Sequence, residues 1–122
     1  MRYNSALRPY TFKRIEEIEC ADILVGIPCY FNERTIEHVI RMVSHGLAKH
    51  YKEKRCVIFI ADGGSTDDTR EAAKGLEAKP WQEKLVSIYR GLAGKGSAFR
   101  SIFEAAKRLK VGACMVVDSD LR

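Results

Sequence analysis

The sequence predicts an α/β fold in which a mostly parallel, Rossmann-like sheet is flanked by helices. Apolar runs rich in branched side chains alternate with segments whose apolar residues recur at helical spacing. The apolar runs lack the polar alternation of half-exposed strands, which is typical of parallel strands buried on both faces. A polar or glycine-rich segment follows each run, at the position where open parallel sheets bind their ligands.

The composition indicates one globular domain. The chain has 122 residues, of which 46% are hydrophobic and 30% charged, and this excludes disordered, collagen-like and disulfide-scaffold classes. Its longest uncharged apolar run, residues 23–31, is much shorter than the ~20 residues that cross a membrane. The net charge of +5 is spread along the chain, so we expect no nucleic-acid partner. Four scattered cysteines without paired spacing indicate a reducing, cytoplasmic setting.

The first half of the chain predicts two helices and two strands. Residues 1–21 form an extension with a short helix over residues 12–20, where apolar residues recur three apart. Residues 23–28 form the first strand, a second helix ends near His50, and the second strand covers residues 56–61. The second helix carries one apolar stripe, namely Ile36, Val39, Ile40, Val43 and Leu47.

The second half predicts the same alternation. A Ser-Thr-Asp-Asp sequence with N-cap spacing predicts a helix over residues 67–77, and residues 85–89 supply the third strand. A glycine-spaced loop, residues 91–96, leads into another helix that Gly112 closes. Residues 113–117 then form a fourth strand, which we expect to be buried. The core stripe of the last helix is Phe99, Ile102, Phe103, Ala106 and Leu109.

Two aspartates follow the fourth strand. Asp118 and Asp120 are two residues apart, so on an extended chain their carboxylates point the same way and can share one hard divalent cation. Mg²⁺ and Mn²⁺ are the cations that such carboxylates are expected to bind, and either ion would complete its coordination shell with substrate phosphates. This pattern favours a nucleoside diphosphate as the ligand. The alternative, that both aspartates are solvated turn residues, stays open at this point.

The glycine-spaced loop is a second candidate for phosphate binding. It is neither a Walker A loop nor a dinucleotide fingerprint, because the glycines and the Ser or Thr of those motifs are missing. What remains is a turn that brings Lys95 and backbone amides to a helix start, which suits phosphate or ribose oxygens. A plain strand-to-helix turn with a surface lysine is the alternative.

Three segments together resemble the nucleotide-sugar-dependent glycosyltransferases of family 2, which have the GT-A fold. Residues 27–33, IPCYFNE, are similar to a first-strand Pro-x-Tyr-Asn-x-Glu motif. Residues 60–69, IADGGSTDDT, are similar to an Asp-Asp-Gly-Ser-Thr-Asp-Asp-Thr motif, and residues 117–120 to the metal-binding Asp-x-Asp strand. The Gly-Lys-Gly sequence around Lys95 is also similar to that of glucosyl-3-phosphoglycerate and mannosylglycerate synthases.

The resemblance implies a site for a nucleoside-diphosphate sugar, with UDP as the first expectation and GDP as the second. Asp118 and Asp120 would hold Mg²⁺ or Mn²⁺. Gly63 stands where some members carry a second acid that reads the base, so a backbone contact is the alternative there. The residues expected to bind the nucleotide sugar are Pro28, Tyr30, Glu33, Asp62, Gly63, Lys95 and Ser119.

The resemblance also implies that residues 1–122 are the nucleotide-sugar-binding N-terminal half of a GT-A fold. The acceptor-binding half and any catalytic residue would lie beyond Arg122, so this chain alone would be inactive. Apolar surface left exposed on such a half would favour self-association. Two other functions stay open: a nucleotidyltransferase-like enzyme, which normally has its glycine-rich loop directly after the first strand, and a non-catalytic nucleotide-binding module.

Overall fold

The computed structural model of the chain describes residues 7, 9–29, 33–62, 82–88 and 95–118. These residues form three helices and four strands in the alternating order that the sequence predicts. The predicted helix over residues 67–77 lies outside the described residues. In chain order the elements are α1 (Pro9–Ile18), β1 (Ile23–Cys29), α2 (Glu33–His50), β2 (Cys56–Asp62), β3 (Gln82–Ile88), α3 (Lys95–Arg108) and β4 (Ala113–Val116).

The four strands form one parallel sheet in the order β3-β2-β1-β4. Ile23 pairs with Cys56 of β2 on one side and with Ala113 of β4 on the other. The chain therefore moves outward from β1 to β3 and then returns past β1 to place β4 on the opposite side. Because right-handed crossovers in opposite directions put their helices on opposite faces, this order predicts a sheet covered on both sides.

Two hydrophobic clusters cover the two faces of the sheet. Helix α2 packs on one face, where Ile36, Val39 and Ile40 meet the apolar side chains of β1 and β2. Helices α1 and α3 pack on the other face, around Phe59 and Ile102. Every residue of β2 is buried, as expected for a central parallel strand. None of the described helices is long and apolar enough to cross a membrane.

Helices α1 and α3 both end in a residue with left-handed backbone conformation. Glu19 has a φ of 71° and its N–H donates to the Ile15 carbonyl, which closes α1. Lys110 has a φ of 55°, and the Val111 N–H donates to the Ala106 carbonyl, which is the bond of a Schellman motif. The expectation that Gly112 closes the last helix is therefore wrong, because Lys110 takes the left-handed position two residues earlier.

The structure also corrects two expectations about burial. Phe103, predicted in the core stripe of α3, is 54% exposed, and Ala98 and Ala105 are buried on this helix instead. Ala98, Ile102 and Ala105 form the stripe of α3 that packs in the core, and Phe103 lies outside this stripe. All four residues of β4 are exposed although the strand is continuously apolar. An edge strand is covered only by elements beyond it, and sequence pattern does not report whether these are present.

Candidate nucleotide site at the carboxyl edge of the sheet

The predicted site residues that the structure describes gather at one edge of the sheet. Pro28 is the penultimate residue of β1, Asp62 is the last residue of β2, and Asp118 follows β4 by two residues. Since all strands are parallel, these three positions lie at the carboxyl edge. Glu33 opens α2 and Lys95 opens α3, so the backbones of both also begin at this edge.

The strand register sets the spacing of these positions. Pro28 pairs with Ala61, which places Asp62 one residue further out along the neighbouring strand. Val116 pairs with Gly26, and the Val117 N–H donates to the Gly26 carbonyl at 2.9 Å. Continuing this register by two residues brings Asp118 level with Pro28. Because neighbouring strands lie about 4.8 Å apart, the backbones of Asp118 and Asp62 are separated by about two strand spacings, roughly 10 Å.

Asp62 is completely buried, which is unusual for a carboxylate. It follows Ile58 and Ile60 in the alternation of β2 and thus faces the side of the sheet that α2 covers. Its register partner on β1 is Cys29, which is also buried against α2. Burying a carboxylate is costly unless hydrogen-bond donors meet it, so this buried position distinguishes Asp62 from an ordinary surface carboxylate.

Asp118 is exposed, in contrast with Asp62. It lies beside the point where the strand order reverses, between the carboxyl ends of β1 and β4, and open α/β sheets bind their ligands in the crevice there. Its carboxylate oxygens are hard donors of the kind that Mg²⁺ and Mn²⁺ take. Within the described residues no three His, Cys, Asp or Glu side chains form a metal cluster. A cation at Asp118 would therefore take most of its ligands from groups other than the described residues.

The amino ends of α2 and α3 add a second favourable feature. Both helices run back from the carboxyl edge, so their unsatisfied N–H groups and partial positive charge lie on the ligand side of the sheet. A diphosphate at this edge would accept hydrogen bonds from such amides. The carboxyl edge thus has backbone N–H groups that could donate to an anion, and it has the exposed carboxylate of Asp118, which could contact a cation bound to that anion.

Part of the predicted site cannot be compared with the structure. Tyr30, Gly63, Ser119 and Asp120 lie outside the described residues. For Glu33 and Lys95 the structure describes the backbone position but not the side chain. Sequence reasoning did not identify Cys29 or Gly26 as site residues. A glycine in the middle of an apolar strand was the available signal for Gly26, whereas the pairing of Cys29 with Asp62 is visible only in the strand register.

The chain matches the model of glycosyl transferase family 2 over residues 24–122, which includes every described strand almost completely. The chain belongs to glycosyltransferase family 2. This family assignment agrees with the resemblance carried by the three segments that follow β1, β2 and β4.

A solved structure is similar to this family 2 chain both in fold and in sequence. It is glucosyl-3-phosphoglycerate synthase from Mycobacterium tuberculosis in complex with Mn²⁺, UDP and glucosyl-3-phosphoglycerate. The two share 29% sequence identity with a TM-score of 0.55, and the match covers 88% of this chain. The chain spans 38% of the length of that synthase. A comparison with curated protein sequences found no match.

Proposed function

We propose that this family 2 chain binds a nucleoside-diphosphate sugar together with a divalent cation, for transfer of the sugar to an acceptor hydroxyl. The observation that carries the proposal is the position of Asp118. It is an exposed carboxylate at the reversal of strand order, and strand β1 separates it from the buried carboxylate of Asp62. Family membership sets the reaction class, and this geometry supports the location of the donor.

Asp118 and Asp120 would hold Mg²⁺ or Mn²⁺, which neutralises the charge that builds on the departing diphosphate. The start of α3, with Lys95, would donate to the diphosphate or ribose. The base would lie over the ends of β1 and β2, against Pro28, Tyr30, Glu33, Asp62 and Gly63, with Ser119 beside the sugar. UDP is the expected nucleotide, supported by the UDP and Mn²⁺ in the synthase of similar structure, and GDP is the second expectation.

We further propose that residues 1–122 supply the donor-binding half of a larger glycosyltransferase domain. The exposed apolar strand β4 supports this, because continuously apolar parallel strands are normally covered on both faces. Met115, Val116 and Phe103 are all more than a third exposed, and each is an apolar side chain that further polypeptide would cover. In the chain by itself we expect the same surface to favour self-association, measurable by light scattering. None of the four cysteines, all of which the structure describes, forms a disulfide, and this supports a cytoplasmic location.

The test is calorimetric titration of UDP and of GDP into the purified chain, with Mn²⁺ and again with the metal chelated. We expect binding that requires Mn²⁺ and that Asp118→Asn or Asp120→Asn weakens by at least about tenfold, since each removes one charged ligand. Glu53→Gln is the matched control, because it neutralises an exposed carboxylate in the loop before β2, at the opposite edge. Equal affinity with and without Mn²⁺ would contradict the metal-dependent site.

A second measurement separates the proposal from its rivals. A chain that binds UDP and Mn²⁺ but, when completed by an acceptor-binding half, neither transfers nor hydrolyses a UDP-sugar would be a non-catalytic binding module. Formation of a nucleoside-diphosphate sugar from a nucleoside triphosphate would instead identify a nucleotidyltransferase.

A further inference from the structure

Gly26 lies at the centre of β1, directly beneath helix α3. A Cβ atom at this position would meet Ile102 at 2.4 Å from Cγ2, 2.7 Å from Cδ1 and 2.8 Å from Cγ1. Carbon atoms in contact normally stay about 3.5–4.0 Å apart, so any side chain here would force Ile102, and with it α3 or β1, to move by about 1 Å. The close approach of helix and strand therefore depends on glycine.

The same residue anchors the segment that leads to Asp118. Gly26 pairs with Val116 of β4, and its carbonyl accepts the Val117 N–H at 2.9 Å. This bond extends the pairing between β1 and the chain of β4 by one residue beyond Val116. It thus sets how far along the carboxyl edge, and at what height above the sheet, the Asp118 backbone lies.

Helix α3 carries the effect of Gly26 to the other part of the site. Ile102 is completely buried, and Lys95, the first residue of α3, is seven residues before it. At about 1.5 Å per residue the helix start lies roughly 10 Å from this contact, toward the carboxyl edge. A helix moves as a rigid rod over such a distance, so displacement at Ile102 displaces the amides of the first turn.

We propose that Gly26 is a positioning residue that holds the phosphate-facing start of α3 and the metal-facing Asp118 in a common geometry. This inference rests on the proposed function for the identity of the ligands. It adds that two groups on different elements are set by one backbone position. A side chain at residue 26 disturbs both of them at once.

The test compares the Mn²⁺-dependent affinity for UDP of the Gly26→Ala variant with that of the original chain. Both are measured at a temperature well below the unfolding temperature of the variant. We expect affinity to fall by at least about tenfold, because displacements near 1 Å strongly weaken preorganised sites. Gly26→Ala combined with Ile102→Ala should regain most of the affinity, since alanine lacks all three atoms that meet the new Cβ. Gly26→Ala combined with Ile102→Val should not, because valine keeps two γ carbons.

Two controls separate positioning from general loss of stability. Leu47→Ala removes a buried side chain near the carboxyl-terminal end of α2, far from the site edge, so it should lower the unfolding temperature but keep UDP affinity. Gly46→Ala adds a methyl group inside α2 where nothing lies within 4 Å, so it should keep UDP affinity while raising the unfolding temperature, because alanine favours a helix more than glycine does. If Leu47→Ala weakens binding as much as Gly26→Ala does, Gly26 has only a structural role.

Amide hydrogen exchange tests the geometry without nucleotide. Gly26→Ala should raise exchange at Val117 and in the first described turns of α3 by at least about tenfold, and the Ile102→Ala second change should reverse both. Unchanged exchange at Val117 would overturn the inference whether or not UDP binds. Failure of the unsubstituted chain to bind UDP would instead contradict the proposed function. The hydrogen-exchange rates of Gly26→Ala and of the original chain would then still decide whether Gly26 positions Val117 and α3.

Discussion

Asp22 and Arg55 are joined by two hydrogen bonds of 2.8 Å at the amino edge of the sheet. The Asp22 N–H donates to the Arg55 carbonyl, and the Arg55 N–H donates to Asp22 Oδ2. The Asp22 carbonyl also accepts the N–H groups of Gly112 at 2.9 Å and Ala113 at 3.3 Å. One residue thus ties together the starts of β1, β2 and β4, opposite the edge that carries the candidate site.

Asp22→Ala should lower the free energy of unfolding by about 1 kcal/mol, because the Arg55 N–H loses its side-chain acceptor while the backbone bonds remain. Asp22→Asn keeps an oxygen acceptor and should recover most of that loss. Urea denaturation of the three chains measures the difference. An Asp22→Ala chain as stable as the original would show that water replaces the carboxylate at no cost.

Cys56 should make the chain less stable at alkaline pH. Burial raises the pKa of the Cys56 thiol, and the Asp22 carboxylate raises this pKa further. As pH rises, the thiol of the unfolded chain therefore ionises before the thiol of the folded chain. The stability that the neutral thiol contributes is complete below the pKa of the unfolded chain, and it is lost as pH rises through the pKa of the folded chain.

The loss should be visible as a smaller fall in unfolding temperature between pH 8 and about pH 10 in Cys56→Ala than in the original chain. Cys20→Ala is the control, since Cys20 is exposed in the loop after α1. A fall of the same size in both variants would mean that Cys56 does not contribute to the alkaline transition.

Lys110→Gly should stabilise the chain by about 0.5–1 kcal/mol. Lys110 has a φ of 55°, where an L side chain costs energy and glycine does not. Lys107→Gly, three residues earlier in the last turn of α3, should instead destabilise by about 0.5–1 kcal/mol, because glycine is unfavourable at a position with helical backbone conformation. Thermal unfolding of both variants gives the two signs, and equal signs would contradict this explanation of the helix end.

Arg108 should couple α3 to α1 through Phe12. Its guanidinium carbon lies 4.4 Å from the Phe12 ring centroid, and Glu104 Oε2 accepts its Nε–H at 3.1 Å. A double-mutant cycle with Arg108→Gln and Phe12→Leu should give a coupling energy of about 0.5–1 kcal/mol, as expected for a partly exposed cation–π pair. In a Glu104→Gln background the coupling should shrink, since the guanidinium is then less constrained. Additive single effects would show that the contact contributes nothing.

The strands with the strongest apolar pattern could be predicted closely. The predicted boundaries of β1 and β2 each stop one residue before the observed ends, at Cys29 and Asp62. Strand β3 begins at Gln82, three residues before the predicted start, because the Gln-Glu-Lys sequence there is polar. Its backbone still completes the ladder with β2, as in the pairing of Gln82 with Cys56. Ladder hydrogen bonds join backbone groups, so a polar side chain does not prevent them.

Some helix boundaries also follow from the sequence pattern, and others depend on backbone conformation in the folded chain. The end of α2 at His50 was predicted from its apolar stripe, and the structure confirms it. Helix α1 runs from Pro9, three residues before the predicted start, since proline fits the first turn of a helix. Its end was predicted at residue 20 but comes at Ile18, because Glu19 takes a left-handed conformation. A glutamate in the sequence does not predict this conformation, which glycine and asparagine adopt more often.

The sequence by itself determined the order of strands and helices, the buried stripe of α2, and the polar segments that place Asp62 and Asp118 after strands. Only the tertiary structure decided that β4 returns to lie beside β1, that β4 and Phe103 are exposed, and that Gly26 meets Ile102. The physical reason is that a side-chain pattern records whether a segment is apolar and whether its apolar residues recur at helix or strand spacing. The choice of neighbouring strand is made by backbone groups common to all residues and by packing between distant parts of the chain.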